Sequence, residues 1–543
     1  MVVYSNFIQF DLHLEGKNNP IDDKMTNPSL YDKLYQNNTP LQDRIDFLSA
    51  RIDQAGNDLS QAALLEGIDA GKKFLTLVKT DIDIAAVRYC IANAYGRLQR
   101  IPQVHPTDNN MPWENDDLEQ ELINLRIAYS LIKDKPISAV KSDLPFRIAT
   151  NLGNALNYIG RFCDAIEKWD YVIDHYPKFS MAHGNRAFGL KYCAGRLYDS
   201  GHQYDYLTAA RTGFEQALKG KLESNDYEAF KELLSETKII LGDCYRAPLK
   251  DYSLGRSQKE KDYRNWVLSN RMFINPLNDL GKHSMAAQDI LTLPSIITPI
   301  QASQPEIYGL FNQMKQEYVS ARFLLFEGIN ENRKKCHFSD RKVLLYNTLD
   351  YPVYGINIEK VKIAFLWSCS VLDKIAFLIN HYFKLEIPEH KISFKTVWYK
   401  KPYKKELRTE FASSKNWPLR GLFWLSKDFY EDEQNFKESI EPDAKELWNI
   451  RNHLTHKYLK VHDDSLWFKE YREVDCFDDK LSFSIKRGEL ISKAVKLCKI
   501  VRNGLIYAAL AVHAEETLKL KHYQDDSLIT DMNLDVYDDH WKL

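Results

Sequence analysis

Apolar residues recur at spacings of three and four along most of the chain, which is the period of an amphipathic α-helix. In residues 358–385, Phe365, Cys369, Leu372 and Ala376 make one such stripe. The same spacing in other stretches predicts four long helices in the C-terminal half, at residues 317–329, 358–385, 442–461 and 489–520. Four such helices can form a bundle. The pattern therefore predicts an all-α fold that ends in a four-helix bundle with small insertions.

Residues 146–177 have the pattern of two short antiparallel helices. Gly153 lies on the first helix, Gly160 at the turn, Trp169 on the second helix, and Pro177 ends the pair. This spacing resembles a tetratricopeptide repeat, in which small residues let the two helices pack closely. One repeat cannot bury its own apolar face, so neighbouring repeats must stack on it. We expect a repeat-like helical solenoid, the alternative being one repeat-like pair in an unrelated helical domain.

Composition changes along the chain predict five segments. Three prolines within residues 293–305 mark the strongest boundary between helical stretches. The predicted segments are a polar N-terminal arm at 1–35, a repeat domain at 36–292, a proline-rich linker at 293–310, the bundle domain at 311–522 and an acidic tail at 523–543.

Charge and cysteine content exclude several classes of protein. Lys and Arg total 73 against 75 Asp and Glu, so any nucleic-acid contact must be a local patch. The eight cysteines are scattered and include no CxxC pair, which argues against a zinc site and a disulfide framework. The apolar stretch at 361–380 is interrupted by Lys362, Asp373 and Lys374. We therefore expect a cytoplasmic protein with no membrane span, no metal and no cofactor.

The stretch "RNHLTH" places Arg451 on the apolar stripe of a predicted helix, with His456 five residues later. An arginine and a histidine separated by four to six intervening residues are a weak signal, because 100–105 and 196–202 match this pattern too. Context separates the three matches. The other two run through Pro102 and through a turn-like "DSG", and only the Arg451 match lies in a strongly periodic helix.

The surrounding segments carry a wider resemblance. "EYVSARFLLFEG", "HFSDRKVLLYNTLDYPVYG", "SVLDKIAFLINHYF" and "RNHLTH", after a repeat region ending in "NRMFINPLNDL", are similar to the HEPN ribonucleases that are fused to tetratricopeptide repeats. The resemblance covers about residues 260–520. It implies a homodimer through the HEPN domain, in which two arginine–histidine motifs form one metal-independent RNA-cleaving site.

The chemistry of RNA cleavage fits such a composite site. Attack by the ribose 2′-hydroxyl needs one group to accept a proton and another to protonate the leaving oxygen. Two copies of His456 could divide this work, while two copies of Arg451 hold the phosphate. Five residues along a helix correspond to about 140° and about 7.5 Å, so both side chains share a site only near a helix seam.

Three neighbours are candidates for supporting roles. Asn452 lies one turn before His456 and could orient its ring, or could be an ordinary polar helix residue. Asp373 could set the orientation of Arg451, or could form a simple ion pair. His453 lies on another face of the helix and is expected at the surface. The resemblance implies that Arg451, His456, Asn452 and Asp373 form the catalytic set.

Residues 391–408 mix seven basic residues with aromatic ones. Phosphates need the charges, and unpaired bases can stack on the rings, although a solvated surface loop has the same composition. The predicted RNA-binding residues are Lys395, Trp398, Tyr399, Lys400, Lys401, Lys404 and Lys405.

Two functional hypotheses follow from the sequence. The first is an RNA endonuclease, similar to HEPN toxins and antiviral effectors, whose repeat surface binds a protein or peptide trigger. The second is a non-catalytic repeat scaffold whose bundle binds RNA or a protein partner.

Overall fold

The structure is a computed structural model, and it is almost entirely helical. It describes 39–101, 113–136, 140, 142–242, 252–299, 306–330, 336–401, 406–429, 441–464, 481–522, 529–530 and 537–542. Sixteen α-helices lie in these residues. The predicted all-α class, with a helical repeat array before a helical bundle, is confirmed. The predicted N-terminal arm, and Lys404 and Lys405, lie outside the described residues.

Contacts divide the chain into two compact units. The first unit comprises the described residues within 39–193, 207–242 and 441–444. Its helices are α1 (Leu41–Asn57), α2 (Gln61–Phe74), α3 (Asp81–Leu98), α4 (Asp116–Ile132), α5 (Leu144–Tyr158), α6 (Phe162–His175), α7 (Ser180–Ala194), the larger part of α8 (Ser200–Ala217) and α9 (Ser224–Leu241).

Local chemistry explains where several helices of the first unit begin. The side chains of Ser60, Thr80 and Asn115 accept hydrogen bonds from the backbone amides of Ala63, Asp83 and Leu118, which caps α2, α3 and α4. Consecutive helices from α3 to α6 then pack on one another in chain order. This neighbour-on-neighbour packing is that of a helical repeat array.

The predicted helix pair at 146–177 is present as α5 and α6, with Gly160 at the turn in a left-handed conformation (φ 89°). Trp169 of α6 is fully buried between helices that approach closely at glycines. A Cβ atom built on Gly153 would lie 2.6 Å from its ring, and one built on Gly189 would lie 2.5 Å from it. The indole N–H donates to Asn154 Oδ1 at 3.1 Å.

The second unit comprises the described residues within 194–206, 252–429 and 445–542. Its helices are α10 (Gln258–Ser269), α11 (Glu306–Asn330), α12 (Ile356–Tyr382), α13 (Thr409–Ala412), α14 (Trp417–Lys427), α15 (Ala444–His456, after its first residue) and α16 (Arg487–His522). Helices α11, α12 and α16 pack on one another, and α14 packs on α16. Residues 417–426 of α14 are all buried. The sequence pattern missed this helix, which is only 11 residues long and is buried on all sides.

Two buried arginines fix residues 272–289 onto the bundle. Arg322 of α11 donates to both carboxylate oxygens of Asp289, at 2.9 and 2.7 Å, and to the carbonyl of Met272. Arg502 of α16, which is fully buried, donates to Asp279 at 2.8 Å and to the carbonyls of Phe273 and Asn275. Buried guanidinium groups need such partners. The segment quoted above as "NRMFINPLNDL" is therefore part of the bundle core.

These contacts correct the predicted domain boundary. The described part of the predicted 293–310 linker is packed: Leu293 and Ile296 are buried, and the amide of Ile297 donates to Glu516 of α16 at 2.7 Å. The second unit takes in residues 252–299 rather than starting at 311. Proline excludes helix here, but it does not prevent an extended segment from packing.

Short strand pairs complete the described chain. They are β1 (Thr298–Pro299) with β6 (Ile529–Thr530), β2 (Tyr399–Lys401) with β3 (Glu406–Leu407), and β4 (Tyr458–His462) with β5 (Ser482–Lys486). The last pair is parallel. Helix α15 therefore ends at His456, whereas we predicted helix to residue 461.

Helix α12 is the described helix that is long and apolar enough to cross a membrane by length and composition alone. Half of that apolar window is buried, and α12 packs against α11 and α16. This is the packing of a core helix, and it is compatible with a protein that is not embedded in a membrane.

Candidate active site

Arg451 and Asp373 form the centre of the candidate site. Arg451 lies on α15 and Asp373 on α12, and the guanidinium donates to the carboxylate with an Nη2–Oδ2 distance of 2.8 Å. The two side chains are 35% and 30% exposed. The contact that we expected between these two residues is present. A half-exposed ion pair holds its geometry while leaving the arginine open to solvent.

Arg451 is one of the residues that line a small, mainly apolar pocket. Phe365, Cys369 and Leu372 of α12 line this pocket together with Leu447 and Trp448 of α15. Burial raises the pKa of the Cys369 thiol to about 12, with Arg451 acting in the opposite direction. The thiol is therefore neutral at physiological pH. The aliphatic part of the Arg451 side chain packs against this apolar wall, while its guanidinium pairs with Asp373. This is how a charged residue can lie on the apolar stripe of α15.

His456 is the last residue of α15, and its side chain is exposed. It follows Arg451 by five residues, so the two side chains leave the helix in directions about 140° apart. The next strand begins at Tyr458, which turns the chain away directly after the histidine. The imidazole is therefore available to a molecule that approaches the C-terminal end of α15.

Asn452 and His453 behave differently from each other. Both are partly buried. Within the described part of the chain, Asn452 and His456 share no hydrogen bond, so the predicted orienting role of Asn452 remains a prediction. His453 contacts the carbonyl of Asn449 at 2.8 Å and packs against Phe483 of β5, with ring centroids 5.5 Å apart. The expected surface position of His453 is thus corrected, because β5 covers it.

The predicted RNA-contact loop is divided by the structure. Lys395, Lys400 and Lys401 are exposed, and Lys401 lies 3.2 Å from Glu406 across the β2–β3 pair. Tyr399 is partly buried. Trp398 is fully buried, and its indole N–H donates to the carbonyl of Phe394.

The prediction that Trp398 stacks on RNA bases is therefore wrong. The ring packs against Phe394, Phe411 and Phe423, with centroids 5.4 to 6.2 Å apart. Burial of a large aromatic ring stabilises the fold. The lysine-rich composition of the segment does not reveal this burial. The basic residues lie at the surface because Trp398 anchors the segment underneath.

Within the described residues, no group of three or more His, Cys, Asp or Glu side chains is placed to hold a metal ion. The candidate residues of the site are a guanidinium, its carboxylate partner and, five residues along α15, an exposed imidazole. These are the residue types that phosphodiester chemistry uses.

Together, the fold and the site define a helical bundle that carries an arginine–histidine motif at the end of one helix. Residues 299–515 match the family model described as LA2681-like HEPN. This match supports the HEPN part of the resemblance and covers the bundle, Asp373, Arg451 and His456. No curated protein and no solved structure matches the chain.

Proposed function

We propose that this protein is a metal-independent RNA endonuclease of the HEPN type. The observation that carries the proposal is the Arg451–Asp373 pair, with an exposed His456 at the end of the same helix, in a segment similar to LA2681-like HEPN domains. The second hypothesis, a scaffold without catalysis, has no comparable observation in its favour.

In the proposed reaction the ribose 2′-oxygen attacks the adjacent phosphorus and the bond to the 5′-oxygen breaks. His456 accepts the 2′-hydroxyl proton, and the His456 of a second copy protonates the departing 5′-oxygen. The products are a 2′,3′-cyclic phosphate and a 5′-hydroxyl. One imidazole cannot perform both transfers at once, which is the reason for proposing a composite site in a homodimer.

Arg451 stabilises the charge that builds on the phosphorus oxygens. A guanidinium has five N–H donors in a planar fork, and Asp373 fixes the plane of this fork through Nη2. Exposed Lys395, Lys400 and Lys401 supply positive charge for the RNA backbone. We further propose that the repeat unit binds a protein or peptide trigger, and that the biological role is antiviral defence or toxicity.

The test is incubation of the purified protein with total RNA in EDTA. We expect cleavage by the wild type, and loss of cleavage in Arg451→Ala and in His456→Ala. His390→Ala, which removes another exposed histidine of the same unit, is the matched control and should cleave normally. Intact RNA with the wild type would favour the scaffold, and equal cleavage by all four proteins would reject the assigned residues.

A further inference from the structure

Residues 338–354 form a segment with an unusual surface, named here the docking arm. Eight large apolar side chains are exposed between Phe338 and Tyr354. The most exposed are Leu344 and Tyr346, which have 95% and 96% of their surface in solvent. Eight such side chains present on the order of 1,000 Å² of apolar surface, given that an aromatic side chain has roughly 150–250 Å² to bury. The largest patch on a monomer is usually roughly 300–600 Å².

The docking arm is attached to the bundle close to the candidate site. The amide of Val353 donates to the carbonyl of Val461 in β4 at 2.7 Å, and Asp350 pairs with Lys460 of β4 at 2.6 Å. The amide of Ile356 donates to Asp340 at 3.0 Å. Because β4 starts two residues after His456, the arm is fixed to the strand that directly follows the motif helix.

The backbone of the docking arm is strained. Lys342, Leu349 and Tyr351 have φ values of 62°, 65° and 52°, a left-handed conformation that is unfavourable for residues with a Cβ atom. Such conformations persist when surrounding contacts determine them. The side chains of these residues are exposed, and the backbone beside them is held by the Asn347 side chain, which accepts from the amide of Leu349, and by the contacts of the arm with β4.

Charge indicates what kind of molecule covers the arm. Residues 338–354 contain Arg341 and Lys342 against Asp340 and Asp350, so their formal charge is 2 − 2 = 0. RNA binding depends on an excess of positive charge that neutralises phosphates, and the aliphatic residues Val343, Leu344 and Leu345 have no function in base stacking. The surface is that of a protein–protein contact.

A second copy of the chain fits this surface best. In a twofold dimer the same patch meets itself, and a patch with no net charge does so without repulsion. Its area is close to the roughly 800 Å² that each partner buries in an interface of standard size. We propose that the docking arm packs on a second copy of this chain and holds that copy against the C-terminal end of α15. The inference rests on the proposed function, which needs a second His456 there.

The test measures the mass of the purified chain by light scattering over a series of concentrations. We expect the wild type to have the mass of two chains. The double variant Leu344→Ser/Tyr346→Ser should have the mass of one, with dimer affinity reduced about 100-fold, since two interface anchors are lost. Both positions are at least 95% exposed, so the fold should be unaffected.

The matched control is Ile239→Ser/Ile240→Ser, which removes two exposed apolar residues of α9 at 79% and 59% exposure. It should remain a dimer. A wild type with the mass of one chain would overturn the proposal, and so would an arm variant that is still dimeric. If the wild type has the mass of one chain and the arm variant no longer binds RNA, the molecule that covers the arm is RNA instead.

The RNA assay separates the two proposals. If dimerisation depends on the arm but RNA stays intact in EDTA, the docking surface is supported and the proposed nuclease function is rejected. The arm variant could also have the mass of one chain and still cleave RNA at the wild-type rate. This result would support the docking surface but would show that dimerisation through the arm does not form a composite site.

Discussion

At the scale of single residues, two contacts determine what the second unit presents to solvent: the Arg451–Asp373 ion pair and the burial of Trp398 among aromatic rings. The first follows from helix spacing and from the family resemblance, both of which can be read along the chain. The second depends on Phe411 and Phe423, which come from other segments and bury the ring. Composition shows which residues are present in a loop, and only packing decides which of them face the solvent.

Asp373→Asn should lower RNA cleavage at least about 10-fold while changing stability by about 1 kcal/mol or less, since a half-exposed ion pair stabilises weakly but positions the guanidinium. The measurement is the cleavage rate together with the thermal midpoint. Glu317→Gln is the matched control: Glu317 pairs with Lys374, the next residue of α12, at similar exposure. Equal effects on cleavage in the two variants would show that Asp373 has no special role.

At the scale of secondary-structure elements, periodicity predicted the long helices and failed where tertiary pairing takes over. Residues 457–461 continue the apolar spacing of α15, but "YLKV" is also a good strand sequence, and β5 offers it a partner. The apolar stripe of α15 therefore stops where the helix ends, at His456, and does not continue to Tyr458. This break is what leaves the histidine exposed at a helix end.

The loop held by Arg322 should depend on pH through Asp289. Burial would raise the pKa of Asp289, but the ion pair with Arg322 keeps this pKa below its usual value. A depressed carboxyl pKa contributes stability above its unfolded value of about 3.9, and this contribution is lost as the pH falls through the folded value.

We therefore expect Asp289→Asn to lower the free energy of unfolding by about 3 kcal/mol at pH 7, because it leaves a buried guanidinium poorly paired. The difference from the wild type should shrink below about pH 4. Urea unfolding at several pH values measures it. Asp69→Asn, in an exposed pair with Lys73, is the control and should change stability by less than about 1 kcal/mol. A pH-independent difference would contradict the assignment.

The close helix approach at Trp169 makes a further prediction. Gly153→Ala should destabilise the first unit by about 1–3 kcal/mol, because the added methyl group would overlap the indole ring. Gly309→Ala is the matched control: nothing lies within 4 Å of its Cβ position, and it should stabilise α11 by about 0.5–1 kcal/mol. Thermal unfolding followed by circular dichroism distinguishes them, and an equal response would show that the packing is loose.

At the scale of the whole molecule, the order of a repeat region before a bundle was predictable, and the division between the units was not. The proline-rich stretch suggested a linker at 293–310, whereas Arg322 and Arg502 hold the preceding residues in the second unit. Such long-range ion pairs leave no periodic trace in a sequence. The family match at 299–515 covers the bundle and not the repeats. The trigger-binding role of the repeats is therefore proposed from their architecture.

His456 is proposed to transfer protons during RNA cleavage, so the rate of the cleavage step must depend on its imidazole. The single-turnover rate for a defined RNA oligonucleotide in EDTA is measured with the wild type and with His456→Ala. We expect the rate to fall about 10²–10⁴-fold in the variant, which is the usual contribution of a general acid or base. Equal rates for the two proteins would contradict it.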